Sequence, residues 1–98
     1  MMKIFISQPM NGLAEEEISR VRKNAENKII QLYGDVEIIE SCFAAGGEKP
    51  LFNLGKSIQL LSDADIAYFC KGWNTARGCR IEYMCASDYG IGTYFEED

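Results

Sequence analysis

Hydrophobic positions divide the chain into alternating strand-like and helix-like segments. Short apolar runs at residues 3–7, 36–39 and 66–70 are typical of buried strands, and residues 91–95 alternate as a fourth strand. Between these runs, apolar residues recur at intervals of three and four, which is the spacing of one helix face. The predicted inward faces contain Ile18, Val21, Ala25, Ile29 and Leu32 in the first helix, Leu51, Leu54, Ile58 and Leu61 in the second, and Ile81, Met84 and Cys85 in the third.

Polar and conformationally special residues mark the ends of these helices. Three glutamates at residues 15–17 suit the positive end of the first helix, and Gly34 stands where a left-handed C-terminal cap is needed. Pro50 is tolerated in the first turn of the second helix. Asn74 or Thr75 is expected to cap the third helix, which ends near Gly90.

The order β-α-β-α-β-α-β predicts a parallel sheet with right-handed crossovers and helices on both faces. We therefore expect one α/β domain over residues 1–98, a minimal Rossmann-like (flavodoxin-like) three-layer sandwich with a four-stranded parallel sheet in the order 2-1-3-4. Ligands of such sheets bind beyond the carboxyl ends of the strands at the switch point, here between strands one and three. Two segments, residues 7–12 and 71–80, are expected to converge there.

Charge and the absence of histidine exclude several classes of function. Ten Lys and Arg against 15 Asp and Glu give a net charge of -5, which argues against binding to duplex nucleic acid or to an anionic membrane. The chain has no histidine, so Ser-His or Cys-His nucleophile pairs and His-containing zinc sites are excluded. Any acid–base chemistry must use carboxylates, Tyr, Lys or Cys.

The cysteines and the N-terminus point to a reducing compartment. The first apolar run is too short for a signal peptide or a membrane span, so we expect a cytoplasmic protein with reduced thiols. The cysteines show no CxxC spacing and are interpreted as small hydrophobic residues; they are Cys42, Cys70, Cys79 and Cys85. We expect no metal and no cofactor.

The first of the two converging segments is a candidate ligand-binding loop. It supplies a hydroxyl, two amides, a turn-fixing proline and a glycine that permits close backbone approach, and it leads into a helix N-terminus. A plain Asn-Gly turn with a helix cap is the alternative. The candidate residues are Ser7, Gln8, Pro9, Met10, Asn11 and Gly12.

The second segment contains the only tryptophan of the chain. Trp73 lies among polar and small residues, which favours stacking on a base or sugar, although it could instead cover the domain's own core or contact another subunit. Arg77 and Arg80 are candidate donors to a phosphate or carboxylate. Gly78 lies one helical turn before Glu82 on the same face and is expected to leave a hollow beside that carboxylate. An exposed helix glutamate is the alternative for Glu82.

Three stretches together resemble the nucleoside 2-deoxyribosyltransferase-like family, especially its small members. They are KIFISQPMNG, LGKSIQLLSDADIAYFCKGW and ARGCRIEYMCASDYG, and they span nearly the whole chain. The resemblance implies a Rossmann-like fold and an enzyme that cuts or transfers the N-glycosidic bond of deoxynucleosides or their 5′-monophosphates. By motif, Glu82 is the nucleophile. The resemblance further implies that residues 7–12 hold sugar or phosphate, and that neighbouring subunits of a homodimer or larger homo-oligomer complete each other's sites.

One position departs from that family's pattern. Active relatives carry an Asp eight residues before the Asp of the Ala-Asp pair, where this chain has Ser57, and a serine cannot protonate a leaving purine. Asp63, Asp65 and Tyr68 are other candidate acids, although Asp65 is expected to end the helix. Three interpretations stay open: a glycosidic enzyme, a nucleotide- or nucleotide-sugar-binding module without catalysis, and a protein-interaction domain.

Overall fold

The computed structural model describes residues 1–41 and 49–96. These residues form a four-stranded, all-parallel sheet in the order β2-β1-β3-β4, which confirms the predicted fold class and strand order. The two central strands, β1 and β3, are buried as their continuous hydrophobicity predicted. The strands are β1 (Lys3–Ser7), β2 (Glu37–Ile38), β3 (Ile66–Phe69) and β4 (Gly92–Phe95).

Helices cover both faces of the sheet. One core joins α1 to the first face through Ala25 and Ile29, and a second core joins the other two helices to the opposite face through Leu61 and Ala86. Connections that pass to opposite faces on either side of β1 create the switch point expected at its carboxyl end. The helices of the described residues are α1 (Glu15–Tyr33), α2 (Pro50–Leu61) and α3 (Arg77–Asp88), and a 3₁₀ turn (Trp73–Thr75) precedes α3.

The alternation of β1 side chains decides what its last residue contacts. Ile4 and Ile6 belong to the core on the α1 face, while Phe5 belongs to the core beneath α2 and α3. Since side chains of a strand alternate between faces, Ser7 points to the same side as Phe5. The strand thereby presents one hydroxyl to α3 at the carboxyl edge of the sheet.

Asp65 closes the opposite, amino edge of the sheet. Its backbone N–H donates to the carbonyl of Lys3 at 2.8 Å, and its Oδ2 accepts the backbone N–H of Lys3 at 2.8 Å. The pair joins the start of β1 to the start of β3. Asp65 therefore has a structural role far along the strands from their carboxyl ends.

Three predicted core residues are exposed. Leu32 is 46% exposed, Met84 61% and Leu51 78%. In α3 the inward face is made by Cys79, Glu82 and Ala86, so the predicted face was rotated by about one position. Periodicity placed the apolar residues inward, but the helix turns a carboxylate and two small residues toward the sheet instead.

Two local predictions about helix and strand ends were also wrong. Neither Asn74 nor Thr75 caps α3, because both belong to the 3₁₀ turn and Ala76 occupies the cap position without a side-chain bond. The second strand is two residues long rather than four.

At Gly34 the backbone has φ +76° as predicted, though with ψ −129° it lies outside the left-handed helical region. Most of the predicted 42–49 loop, including Cys42, lies outside the described residues.

Among residues 1–41 and 49–96, no helix combines the length and the apolar character that crossing a membrane requires.

We predict that truncating the leucines at the two ends of α2 lowers the free energy of unfolding by very different amounts. Leu61 is 1% exposed, so Leu61→Ala should lower the free energy of unfolding by about 2–5 kcal/mol through lost burial and a cavity. Leu51→Ala is the matched control and should change it by about 0.5 kcal/mol or less, since little apolar surface is withdrawn from water there. Urea unfolding of both variants measures this, and equal losses would contradict the orientation of α2.

Candidate functional site

A buried hydrogen bond joins the end of β1 to α3. The Ser7 hydroxyl donates to Oε1 of Glu82 at 2.6 Å, and both residues are buried, Glu82 with 7% of its surface exposed. Ser7 is placed by the strand alternation and Glu82 by the inward face of α3. The structure therefore brings together two predicted site residues that are 75 positions apart in the sequence.

Burial changes the ionisation of this carboxyl group. Removal from water raises the pKa of Glu82 from 4.5 to about 7, while hydrogen bonds from Ser7 and Ser57 oppose the rise. Both protonation states are therefore populated near neutral pH. A carboxyl poised in this range, at the ligand-binding edge of a parallel sheet, is a candidate functional group.

A small cavity of about 30 Å³ lies beside Glu82. This volume has room for about one or two water molecules, or for one small polar group, and is much smaller than a nucleoside. The described residues thus form a narrow polar recess beside the carboxyl group rather than a ligand-sized pocket. Its lining consists of Phe5, Ile6, Gln8, Met10, Arg22, Ser41, Ser57 and Glu82.

Gln8 is held rigidly at the edge of this cavity. Its Nε2 donates to the carbonyl of Ile18 at 3.1 Å, which ties the residues after β1 to the first turn of α1. The side chain is 8% exposed, and its Oε1 has no hydrogen-bond partner among the described residues. An acceptor aimed away from solvent is therefore left open next to the cavity.

Arg22 was not among the predicted site residues. It is buried on α1, where its Nη2 donates to the carbonyl of Ile39 at 3.0 Å and its Nη1 to Oγ of Ser41 at 3.3 Å. It also pairs with Glu26 at 3.4 Å. These bonds hold the chain after β2 against α1. The sequence did carry a signal, because Arg22 occupies a helical step between Ile18 and Ala25 on the apolar face.

The remaining residues of the first loop lie farther out. Met10 lines the cavity and Pro9 is half-buried, whereas Asn11 and Gly12 are exposed. The backbone N–H of Leu13 donates to the carbonyl of Met10 at 3.2 Å, and Gly12 has φ +77°, so these residues form the Asn-Gly turn that was the alternative interpretation.

Trp73 does not line the cavity. It is half-buried in an aromatic cluster, with ring centroids 5.3 Å from Phe69, 5.1 Å from Tyr83 and 5.1 Å from Phe95. The alternative interpretation, in which it covers the domain's own core, describes this arrangement. Aromatic partners on β3, α3 and β4 supply the apolar surroundings that the neighbouring sequence lacks.

Two further residues of the second segment do not line the cavity. Arg77 is exposed at the first position of α3. A Cβ at Gly78 would lie 3.9 Å from Leu54, so this glycine faces α2.

None of the three candidate acids lines the cavity. Asp65 lies at the amino edge of the sheet, and Asp63 is exposed just after α2. Tyr68 belongs to the core on the α1 face, where its hydroxyl donates to Oε2 of Glu96 at 2.6 Å. Burial and this bond raise the pKa of Tyr68. Ser57, by contrast, lies against Glu82 and faces the cavity.

The buried thiols are not activated nucleophiles. Burial raises the pKa of Cys79 to about 11 and that of Cys70 to about 12, so both are protonated near neutral pH. Within the described parts of the chain, no group of three or more acidic or cysteine side chains is arranged to hold a metal ion.

The chain matches one family model over residues 2–95, described as a domain of unknown function, DUF4406. A comparison with curated proteins finds no match.

We predict that Glu82 makes the protein less stable as the pH rises. Its folded-state pKa of about 7 lies above the ordinary value of 4.5, so the folded state binds the proton more tightly. Ionisation therefore costs stability as the pH rises from about 4.5 to about 8, by about 3 kcal/mol for a pKa difference of this size.

Glu82→Gln removes this titration. Urea unfolding across the same pH range should show wild type losing stability relative to the variant by that amount. Glu37→Gln, on the exposed edge strand β2, is the control and should follow wild type. A constant difference between wild type and Glu82→Gln at every pH would contradict the raised pKa.

Proposed function

We propose that this chain, which belongs to the DUF4406 family, is an enzyme that hydrolyses or transfers the N-glycosidic bond of a nucleoside or nucleotide. The observation that carries the proposal is the buried Glu82 carboxyl, bonded by Ser7 at 2.6 Å beside a polar cavity at the carboxyl edge of β1. The resemblance to the nucleoside 2-deoxyribosyltransferase-like family supplies the reaction class.

The reaction proceeds in two displacements at the anomeric carbon. The ionised Glu82 carboxylate attacks that carbon, the C–N bond breaks, and its electron pair leaves with the base, which takes up a proton from solvent water. Water or a second base then attacks the glycosyl ester and gives up a proton to solvent, and the ester C–O bond breaks to restore the carboxylate. Two inversions give net retention.

The surroundings of Glu82 suit a nucleophile that must be released again. Ser7 holds one carboxyl oxygen and fixes the orientation of the group toward the cavity. A pKa of about 7 makes the carboxylate a better nucleophile than an ordinary glutamate, yet it remains ionised in about half of the molecules near neutral pH. Ser7 and Ser57 therefore act as positioning residues.

Ser57 favours a second candidate function. It contacts Glu82 at the position where active relatives carry an Asp, and its hydroxyl cannot protonate a leaving base. A module that binds a nucleotide or nucleotide sugar without cleaving it needs no such proton donor. The homo-oligomer implied by the resemblance stays a prediction, and the exposed Leu51 and Phe52 of α2 offer apolar surface to a second copy.

We predict that Glu82→Gln lowers release of free base from deoxynucleosides and their 5′-monophosphates by about 10³-fold or more, because the covalent path is lost. Chromatography of free base, with wild type and Glu37→Gln assayed in parallel, measures the loss. Glu37→Gln makes the same chemical change on an exposed strand and should retain wild-type rates.

Base release and nucleotide binding together separate the two candidates. Equal base release from wild type and Glu82→Gln would eliminate Glu82 as the nucleophile. Absence of release from wild type, combined with saturable nucleotide binding by both proteins, would favour the binding module.

We predict that kcat/KM rises with pH through about 7, because only the ionised Glu82 attacks. In wild type the hydrogen bond from Ser7 lowers the pKa of the Glu82 carboxyl group. Ser7→Ala removes this bond, so the pKa should rise and the midpoint should move to higher pH. Ser87→Ala, on the exposed face of α3, is the control and should leave the midpoint unchanged. A midpoint shared by wild type and Ser7→Ala would contradict the coupling.

A further inference from the structure

The open oxygen of Gln8 is the least satisfied polar atom at the site. Its amide is oriented by the Nε2 bond to Ile18, so Oε1 is fixed as the acceptor that remains. The side chain is more than nine-tenths buried, and this oxygen has no partner in the described parts of the chain. A buried acceptor without a donor is unfavourable, which makes it a marker of a binding position.

Other polar groups around the cavity direct their hydrogen bonds elsewhere. The Ser7 hydroxyl donates to Glu82, and Ser57 also hydrogen-bonds that carboxyl group. The Ser41 hydroxyl donates to the carbonyl of Ile6 at 3.4 Å, and Arg22 donates to Glu26, Ile39 and Ser41. Oε1 of Gln8 therefore remains an acceptor without a partner among the described residues. The complementary ligand group is a hydrogen-bond donor.

Volume restricts which donor fits. The part of the cavity formed by the described residues, about 30 Å³, has room for a hydroxyl group or a water molecule and is too small for a purine or pyrimidine ring. Because Glu82 lines the same cavity, a substrate whose anomeric carbon approaches the carboxylate brings its sugar hydroxyls, rather than its base, to this recess.

We propose that Gln8 Oε1 accepts a hydrogen bond from a hydroxyl group of the substrate's sugar, which makes Gln8 a specificity-determining residue for hydroxyl-bearing sugars. The inference rests on the proposed function, since it takes a nucleoside as the ligand. Water and the sugar hydroxyl share the same hydrogen-bond chemistry. Analogues that lack one hydroxyl distinguish the two occupants of the recess. If water binds Gln8, removing a sugar hydroxyl leaves the affinity unchanged, whereas if the sugar hydroxyl binds Gln8, removing it weakens binding.

The test combines ligand and residue deletions. Binding is measured by calorimetry on Glu82→Gln protein, which prevents turnover, with 2′-deoxyadenosine, 2′,3′-dideoxyadenosine and 2′,5′-dideoxyadenosine, and with the corresponding thymine nucleosides. We expect one dideoxy series to bind about tenfold more weakly, the effect of one well-placed hydrogen bond. Adding Gln8→Met should abolish that difference, because the acceptor is gone.

A conservative variant separates the acceptor from the tether to α1. Gln8→Glu keeps an oxygen and loses the Nε2 donor to Ile18, so it should retain the discrimination. Urea unfolding of each variant checks that the fold persists.

The outcomes are distinct. Four results would overturn the assignment. The difference in affinity between analogues could survive Gln8→Met, or it could be lost equally in Gln8→Met and Gln8→Glu. All analogues could bind equally to the protein that retains Gln8, or no nucleoside could bind at all. Hydroxyl discrimination of the expected pattern without base release from wild type would overturn the glycosidic activity and leave the Gln8 site standing.

Discussion

A buried carboxyl group needs hydrogen-bond donors, and this need constrains the whole carboxyl edge of the sheet. Oε1 of Glu82 accepts a hydrogen bond from the Ser7 hydroxyl at 2.6 Å, so α3 must lie close to the end of β1. That proximity depends on the strand order, in which β1 and β3 are neighbours and the α3 connection begins from β3. Any shift of β1 by one residue would turn Ser7 to the other face and leave the carboxyl without its donor.

The same edge is held from the α1 side by polar groups that replace apolar packing. Arg22 binds the chain after β2, and Gln8 binds the first turn of α1. Burying such side chains is costly unless their hydrogen bonds are made. Arg22 bonds Glu26, Ile39 and Ser41, whereas Oε1 of Gln8 has no partner among the described residues. The protein's own groups therefore satisfy only part of the polar lining on this side of the edge.

Periodicity predicted the elements better than it predicted their contacts. The strands at β1 and β3 follow directly from continuous hydrophobicity, and the strand order follows from the alternation of elements. The inward face of α3 could not be found this way, because its central residue is a glutamate and the apolar Met84 is exposed. Glu82 was singled out by resemblance, whereas Trp73 was misplaced because its aromatic partners come from β3, α3 and β4. Gln8's open oxygen is a property of three-dimensional placement that no spacing reveals.

Ser7 has a single hydroxyl hydrogen, so it can donate to only one neighbour at a time. It donates to Glu82 at 2.6 Å, and the Cys79 thiol lies near the same hydroxyl. Burial raises the pKa of Cys79 to about 11, so the thiol is protonated near neutral pH. An ionised thiol would compete with Glu82 for the only hydrogen that Ser7 can donate. Burial of Cys79 therefore leaves that hydrogen to the Glu82 carboxyl group.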